Sequence, residues 1–441
     1  MRLLKQTTLV FLVLFGFHSQ IASAQEKQER KMTIQELADS LKVNNIQLEL
    51  ANTSVRVAEA RIGEVKTNRL PNIGAEMIGM YLSDVDIYNT HWSKIQSVTI
   101  PNFGHQFNLN ANQLIYGGGR INKAVALAEM NKTLVDGQRN DTDQSIKLNA
   151  SELYLNLYNL QHQKEILESN KELAEERTKN VNDFFEQDMV TKNEVLRAEV
   201  LQRQLEQSIL QTQNAIDITN KNLTLMAGLD ENILIIPDVS NINHTIRLQD
   251  EAYFRDIAFG NNPRLNISDT QIAIAEKNLE LTKSDRLPTL AGFAGYGATR
   301  PMTSSAPAID AYSASYQVGL NLSYNIESLF KNGKKEAVDK ILIDQAEQQK
   351  IAVMQNIESD VNTAFNNYHQ AIKQREVSSI NEEAADENYR ITELKYKNQL
   401  VTVAEIIDAS NTKLQAELQT LDDETDIIVN YIRLLRVTGQ L

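Results

Sequence analysis

Between Tyr316 and Asn325 (YQVGLNLSYN), hydrophobic and polar positions alternate strictly. Tyr316, Val318, Leu320, Leu322 and Tyr324 fall on one side of an extended strand, and Gln317, Gly319, Asn321, Ser323 and Asn325 on the other. The two tyrosines are spaced by roughly 26 Å at strand rise, which matches the apolar band and aromatic girdles of an outer-membrane β-barrel. A second run repeats the pattern: Phe107, Leu109 and Ala111 alternate with Asn108, Asn110 and Asn112, and Tyr116 closes it. The row of amides suits a water-filled lumen, the opposite row a lipid-facing surface. Either run alone also fits a half-buried strand of a soluble sheet.

The rest of the chain follows a helical period. Thr33-Ile34-Gln35-Glu36 has capping-box spacing and predicts a helix running to about Thr67. It ends before Leu70-Pro71, because the residue preceding proline is pushed out of the helical region. After each of two Leu-Pro pairs an extended run (Ile73 to Ser83; Leu290 to Gly297) leads to a loop, Asp84 to His105 or Ala298 to Ser315. The return strands meet glycine-containing stretches, Gly117-Gly118-Gly119-Arg120 and Asn332-Gly333-Lys334. Neither carries the Lys-Ser/Thr of a phosphate-binding loop, so both are read as turns.

From Arg120 a proline-free pattern continues to about Asp188, ~100 Å as a helix at 1.5 Å per residue. Its partner, Thr191 to Met226, places Val195, Ala198, Leu205, Ile209, Thr212, Ile216, Thr219, Leu223 and Met226 on a seam of alternating threes and fours. The two predict an antiparallel hairpin. A second pair, about Lys334 to Lys397 and Thr402 to Val437, predicts another.

Landmarks recur at fixed offsets, the mark of an internal duplication. Asn44-Asn45 and Arg69-Leu70-Pro71 are answered 217 residues later by Asn261-Asn262 and Arg286-Leu287-Pro288. At an offset of 211, Tyr154 meets Phe365, Val190-Thr191 meets Val401-Thr402, Glu194 meets Glu405, Ala198 meets Ala409 and Gly228 meets Gly439. The expected organisation is a leader over residues 1–24, a first repeat over 25–228 with strands near 73–83 and 106–116, a linker over 229–250, and a second repeat over 251–441 with strands near 290–297 and 316–325.

Composition sharpens this picture. Only 7 prolines and 17 glycines in 441 residues suit long helices better than several compact units. Arg2 and Lys5, an apolar core from Thr7 to Phe17 and the small-residue site Ala22-Ser23-Ala24 read as a secretory signal; its core is too short to span a bilayer, with an uncleaved anchor as the other reading. No other stretch of eighteen or more apolar residues occurs, so a membrane role falls to strands. Absence of cysteine removes disulfides, thiolate metal sites and a lipidated N-terminal cysteine. The formal charge of −14 argues against nucleic acid as a partner. The mature histidines (His91, His105, His162, His244, His369) form no close ligand pair, and no nucleophile elbow or dinucleotide fingerprint appears. No enzyme activity, metal or cofactor is expected.

Two copies supply four amphipathic strands, too few to close, so edges left in lipid would carry unpaired backbone groups. The smallest barrels need eight strands, and several chains must pool theirs. The chain resembles the TolC-like outer-membrane efflux proteins over essentially its whole mature length. The resemblance rests on the paired repeats, the Leu-Pro break, the glycine turn, and the stretches DMVTKNEVLRAEV and QLVTVAEIIDAS. It implies a mainly α fold with a membrane β-barrel: a homotrimer with a twelve-stranded barrel in the outer-membrane lipid, continued by a periplasmic α-helical barrel. Such exit ducts of tripartite efflux or type I secretion systems take substrate from an inner-membrane transporter through a periplasmic adaptor (membrane fusion) protein.

The resemblance also assigns residues. Glu405 and Asp408, three apart and hence on one side of a helix, match acidic positions at the closed lower end, where threefold symmetry makes two rings of negative charge. Tyr396 and Glu194 match positions used for gate links; the family's arginine partner is absent, Val401 standing in its place. Adaptor docking falls on the hairpin tips, Asp188-Met189-Val190 and Gln399-Leu400-Val401, where the family usually has glycine before the hydrophobic pair. The lipid-facing positions are Phe107, Leu109, Tyr316, Val318, Leu320, Leu322 and Tyr324. The competing class is a soluble periplasmic coiled-coil scaffold or adaptor, which shares the hairpins but has no use for the strands. Cargo is not legible in the sequence.

Overall fold

The structure is a computed structural model that describes residues 28–240, 249–303 and 308–441. The expected leader, His244 and part of the linker lie outside the described residues. In chain order the elements are β1 (Gln28–Thr33), α1 (Ile34–Asn44), α2 (Ile46–Lys66), β2 (Asn72–Tyr81), β3 (Val85–Tyr88), β4 (Lys94–Val98), β5 (Phe103–Tyr116), α3 (Arg120–Glu186) and α4 (Lys192–Ala227). They continue with β6 (Ile233–Asp238), α5 (Glu251–Asn261), α6 (Pro263–Ser284), β7 (Thr289–Arg300), β8 (Ser313–Ser323), α7 (Ser328–Lys397) and α8 (Val403–Val437).

One antiparallel four-stranded sheet has the order β2-β5-β7-β8, so the two hairpins of the duplicated unit join through β5 and β7. Directly paired residues share a face, and the register sorts them by polarity. Ala75, Leu109, Tyr296 and Tyr316 form one rung, and Ile73, Ala111, Ala294 and Val318 the next on that face. On the other face lie Gly74, Asn110, Gly295 and Gln317, then Glu76, Asn108, Gly297 and Ser315. A bulge between Leu114 and Tyr116 shifts the register by one and sets Tyr116 opposite Leu290, on the apolar side. Phe107, Leu109, Val318, Leu320 and Leu322 are exposed in the single chain, and Tyr316 is 82% exposed. β8 ends one residue before Tyr324, because Asn325 closes a turn: its carbonyl accepts from Ser328 Oγ (2.6 Å) and its side chain from the Glu327 N–H (3.1 Å).

The helices form two antiparallel hairpins, α3 with α4 and α7 with α8, while α2 and α6 run beside α3 and α6 also packs on α7. Every residue of the α4 seam is buried or half-buried, and Leu201 and Ala227 join it. The central core packs Met32, Leu37, Leu41 and Leu48 against Ile146, Ala150, Tyr154 and Leu157 of α3 and Ile216 and Leu223 of α4. Tyr154, fully buried, accepts from the Asp238 N–H (2.7 Å) and donates to the Met32 carbonyl (2.7 Å), pinning β6 and β1 together. Burial pushes its phenol well above the ordinary value.

Three expectations are corrected. The single helix from Ile34 to Thr67 is two, broken at Asn45, whose side chain caps α2 by accepting from the Gln47 and Leu48 N–H groups. Gly333 is not in a turn but in the first turns of α7, next to buried Asn332, which donates to the Thr282 carbonyl (3.3 Å). The loop from Asp84 to His105 contains the hairpin β3-β4, and β5 begins at Phe103. Ahead of α1, β1 pairs in parallel with β6 of the linker.

The duplication extends to individual hydrogen bonds. Asn45 Nδ2 donates to the Met226 carbonyl and Asn262 Nδ2 to the Val437 carbonyl, each at 2.9 Å. Gly228 (φ 63°) and Gly439 (φ 73°) close the preceding helices against Asn44 and Asn261, and a Cβ on Gly228 would stand 2.4 Å from that of Asn44. Gly228→Ala should therefore lower stability by at least about 1–2 kcal/mol, the cost of a left-handed L residue, before the clash is counted. Gly63→Ala, with nothing within 4 Å, should be neutral or stabilising by about 0.5–1 kcal/mol. Thermal unfolding of the two purified variants checks the contrast; equal midpoints would refute it.

Candidate functional site

The two hairpin tips are built alike. Asp188 and Gln399 have φ 56° and 61°, the left-handed region, although neither is glycine. Met189 N–H donates to the Phe184 carbonyl and Leu400 N–H to the Lys395 carbonyl, each at 2.9 Å, the six-to-one bond of a Schellman end. Thr191 and Thr402 then open α4 and α8 through capping boxes: their N–H groups donate to Glu194 Oε2 (2.8 Å) and Glu405 Oε2 (2.7 Å). Glu194 and Glu405 thus have a structural duty besides any electrostatic one. Met189 and Leu400 project into solvent, and Val190 and Val401 turn half inward.

The tips pack on each other across the hairpins. Val181 of α3, Val195 and Ala198 of α4 and Val403 of α8 are buried together, with Val190, Tyr396 and Ile407 against them. Tyr396 meets Phe184 edge-on at 6.4 Å. Between the tips lies a cleft of about 400 Å³ whose walls include Phe184, Glu194, Tyr396, Val401 and Glu405. Tyr396 and Glu194 therefore share one cleft but form no link: the Glu194 carboxylate is bound by Thr191, and the Tyr396 hydroxyl is buried without a hydrogen-bond partner. Burial raises the Tyr396 pKa; nearby Arg177 opposes that shift and Glu194 adds to it. Glu405 and Asp408 both stand on the exposed side of the first turns of α8.

Sequence reasoning missed the polar contacts above this cleft. Asn159 and Gln163 of α3 donate to Asp422 of α8 (2.8 and 3.1 Å), and Asn170 donates to Glu417 (3.2 Å). Arg177, 6% exposed, donates through Nη2 to the Tyr389 hydroxyl of α7 at 3.3 Å, and its Nη1 is buried without a partner. Lys413 of α8 lies 5.3 Å from the Tyr389 ring and pairs with Asp386. Gln163, Asn170 and Arg177 recur every seven residues and so mark one stripe of α3. The heptad period that picks out the α4 seam, followed along α3, points to the same stripe. Among the described residues no group of three or more His, Cys, Asp or Glu could hold a metal, and no helix is long and apolar enough to cross a membrane.

The family model described as outer membrane efflux protein matches residues 37–229 and 255–440. A comparison with curated proteins finds no match. Among solved structures, CusC superposes with a TM-score of 0.76 at 16% identity, covering 92% of this chain and 92% of its own. VceC of Vibrio cholerae gives 0.73 at 12%, covering 92% and 96%, and the open state of MtrE of Neisseria gonorrhoeae gives 0.73 at 14%, covering 92% and 88%. At these identities the structures speak for the fold alone.

Two outcomes are expected at the tips. Asp188→Gly and Gln399→Gly should each raise thermal stability by about 1 kcal/mol by relieving left-handed backbone strain, whereas Gln399→Val should lower it. Arg177→Met removes a buried, incompletely paired charge at similar volume and should be neutral or stabilising by about 1–4 kcal/mol. Thermal unfolding that ranked Arg177→Met well below the parent would contradict this.

Proposed function

We propose, because the chain belongs to the outer membrane efflux protein family, that three copies assemble into one exit duct. The protein is an outer-membrane channel for efflux. The observation that carries the shared-barrel reading is the four-stranded sheet, apolar on one face and amide-lined on the other, with β2 and β8 unpaired at its edges, and the number three is taken from the family. Edges of this kind are not tolerated in lipid, and a sheet of four strands cannot close on itself. Three copies pool twelve strands, β8 of each pairing with β2 of the next. Phe107, Leu109, Tyr316, Val318, Leu320 and Leu322 then face lipid, with Tyr324 just past the strand end at the interface.

α3 and α7 begin directly after β5 and β8, so a ring of strands continues as a ring of helices. The tips Asp188-Met189-Val190 and Gln399-Leu400-Val401 end that ring and present exposed Met189 and Leu400 to a periplasmic adaptor, which couples the duct to an inner-membrane transporter. The chain supplies path and gate, and the transporter supplies energy. Threefold repetition of Glu405 and Asp408 places carboxylates around the narrow end, where they hold water and attract cations. A soluble scaffold would need the hairpins but not the two-faced sheet.

Envelope fractionation should recover the protein in the outer membrane, and detergent-extracted material should cross-link as a trimer; a lone monomer would end the proposal. Glu405→Ala with Asp408→Ala should weaken block of single-channel current by multivalent cations. Unchanged block would remove both residues from the entrance.

A further inference from the structure

Ten residues of β2, fourteen of β5, twelve of β7 and eleven of β8 include one acid, Glu76. Their one arginine, Arg300, is the last residue of β7 and is held by Asp310 at 2.8 Å. Glu76 sits midway along β2, and its register partner is Asn108, followed across the sheet by Gly297 and Ser315. That rung belongs to the amide face, not to the apolar face that carries Leu109 and Tyr316. A carboxylate on the apolar side would oppose membrane insertion, so the parity of this position is part of what makes the sheet compatible with lipid.

The surroundings leave the charge open. Asn108 Nδ2 donates to Glu76 Oε2 at 3.4 Å, a long contact, and Gln106 Nε2 lies 3.5 Å from Asn108 Oδ1. The other rung members are a glycine and a serine, and Glu76 is exposed. Neighbouring lumen-side positions are neutral amides (Asn110, Asn112, Gln317), so no basic side chain on this face of the sheet cancels the carboxylate.

We propose that Glu76 is a selectivity-determining residue of the conduit. This rests on the trimeric barrel reading: one carboxylate per copy gives three around the lumen, partway through the membrane and far from the helical tips. The belt concentrates cationic solutes and disfavours anionic ones. Its reach follows the Debye length, about 30 Å at 0.01 M salt and about 3 Å at 1 M, so its effect is large at low salt and vanishes at high salt.

The chain has no cysteine, so Glu76→Cys carries a single thiol. In planar bilayers under a KCl gradient near 0.01 M, Glu76→Gln and Glu76→Cys should lower the cation-to-anion permeability ratio by about twofold or more, and the difference should disappear at 1 M. A sulfonate-bearing methanethiosulfonate should restore the ratio of Glu76→Cys, and a trimethylammonium-bearing one should lower it further. Val318→Cys, on the apolar face, should resist both reagents. Complete labelling of Glu76→Cys with no movement of the ratio in either direction, and no change in Glu76→Gln, would overturn the belt while leaving the barrel intact. Labelling of Val318→Cys with Glu76→Cys protected would overturn the face assignment itself.

Discussion

A β-strand edge cannot be left unpaired in hydrocarbon, and most of this architecture follows from that. β2 and β8 each present one row of unshared backbone groups to the outside of the sheet. The internal duplication contributes two hairpins to this sheet, and joining them through β5 and β7 still leaves those two edges. In the proposed trimer, pairing between copies removes them, and the same closure fixes the helices, because α3 and α7 leave the sheet after turns of a few residues. In that assembly the helices of 67 and 70 residues, ~100 Å at 1.5 Å per residue, serve as the wall of a tunnel and not as the core of a globule.

The duplication persists where geometry leaves no choice and has drifted elsewhere. Asn45 and Asn262 each cap a helix start and satisfy one helix-end carbonyl, and no other residue type of that size both donates and accepts in this way. Gly228 and Gly439 persist because a side chain would collide with the neighbouring asparagine pair. Tyr154 and Phe365 show the drift. The first uses its hydroxyl to hold β1 and β6, while the second carries no hydroxyl and packs edge-on against His369 at 4.7 Å.

What the sequence made legible were features governed by local periodicity. Strand parity placed Leu109 and Val318 on one face, the seam of α4 emerged nearly whole, and both tips appeared where the motifs put them. Features decided by distant partners were not legible. Asn45 breaks a helix because Met226 and the α2 N–H groups engage its side chain together, and Gly333 remains helical because Asn332 is anchored to α6. β1 has no apolar alternation of its own and becomes a strand only by pairing with β6. Glu76 was not legible either, because a lone acid in a weakly alternating strand acquires meaning only when register assigns it a face.

Near the tips, the seam between the two hairpins has the composition of a contact that can part. There its enclosed apolar side chains include Val181, Val195, Ala198 and Val403. Its polar part joins amides to carboxylates near solvent, together with a guanidinium that has one long hydrogen bond and one unpaired nitrogen. Burying a charge without a carboxylate partner is costly, and parting the hairpins would return Arg177 and the Tyr396 hydroxyl to water. Rehydration of these groups thus offsets part of the cost of exposing the valines on opening. A seam of well-paired buried ions or of large aliphatic side chains would lack that compensation and would resist opening more strongly, so near the tips the composition of this seam supports the proposed gate.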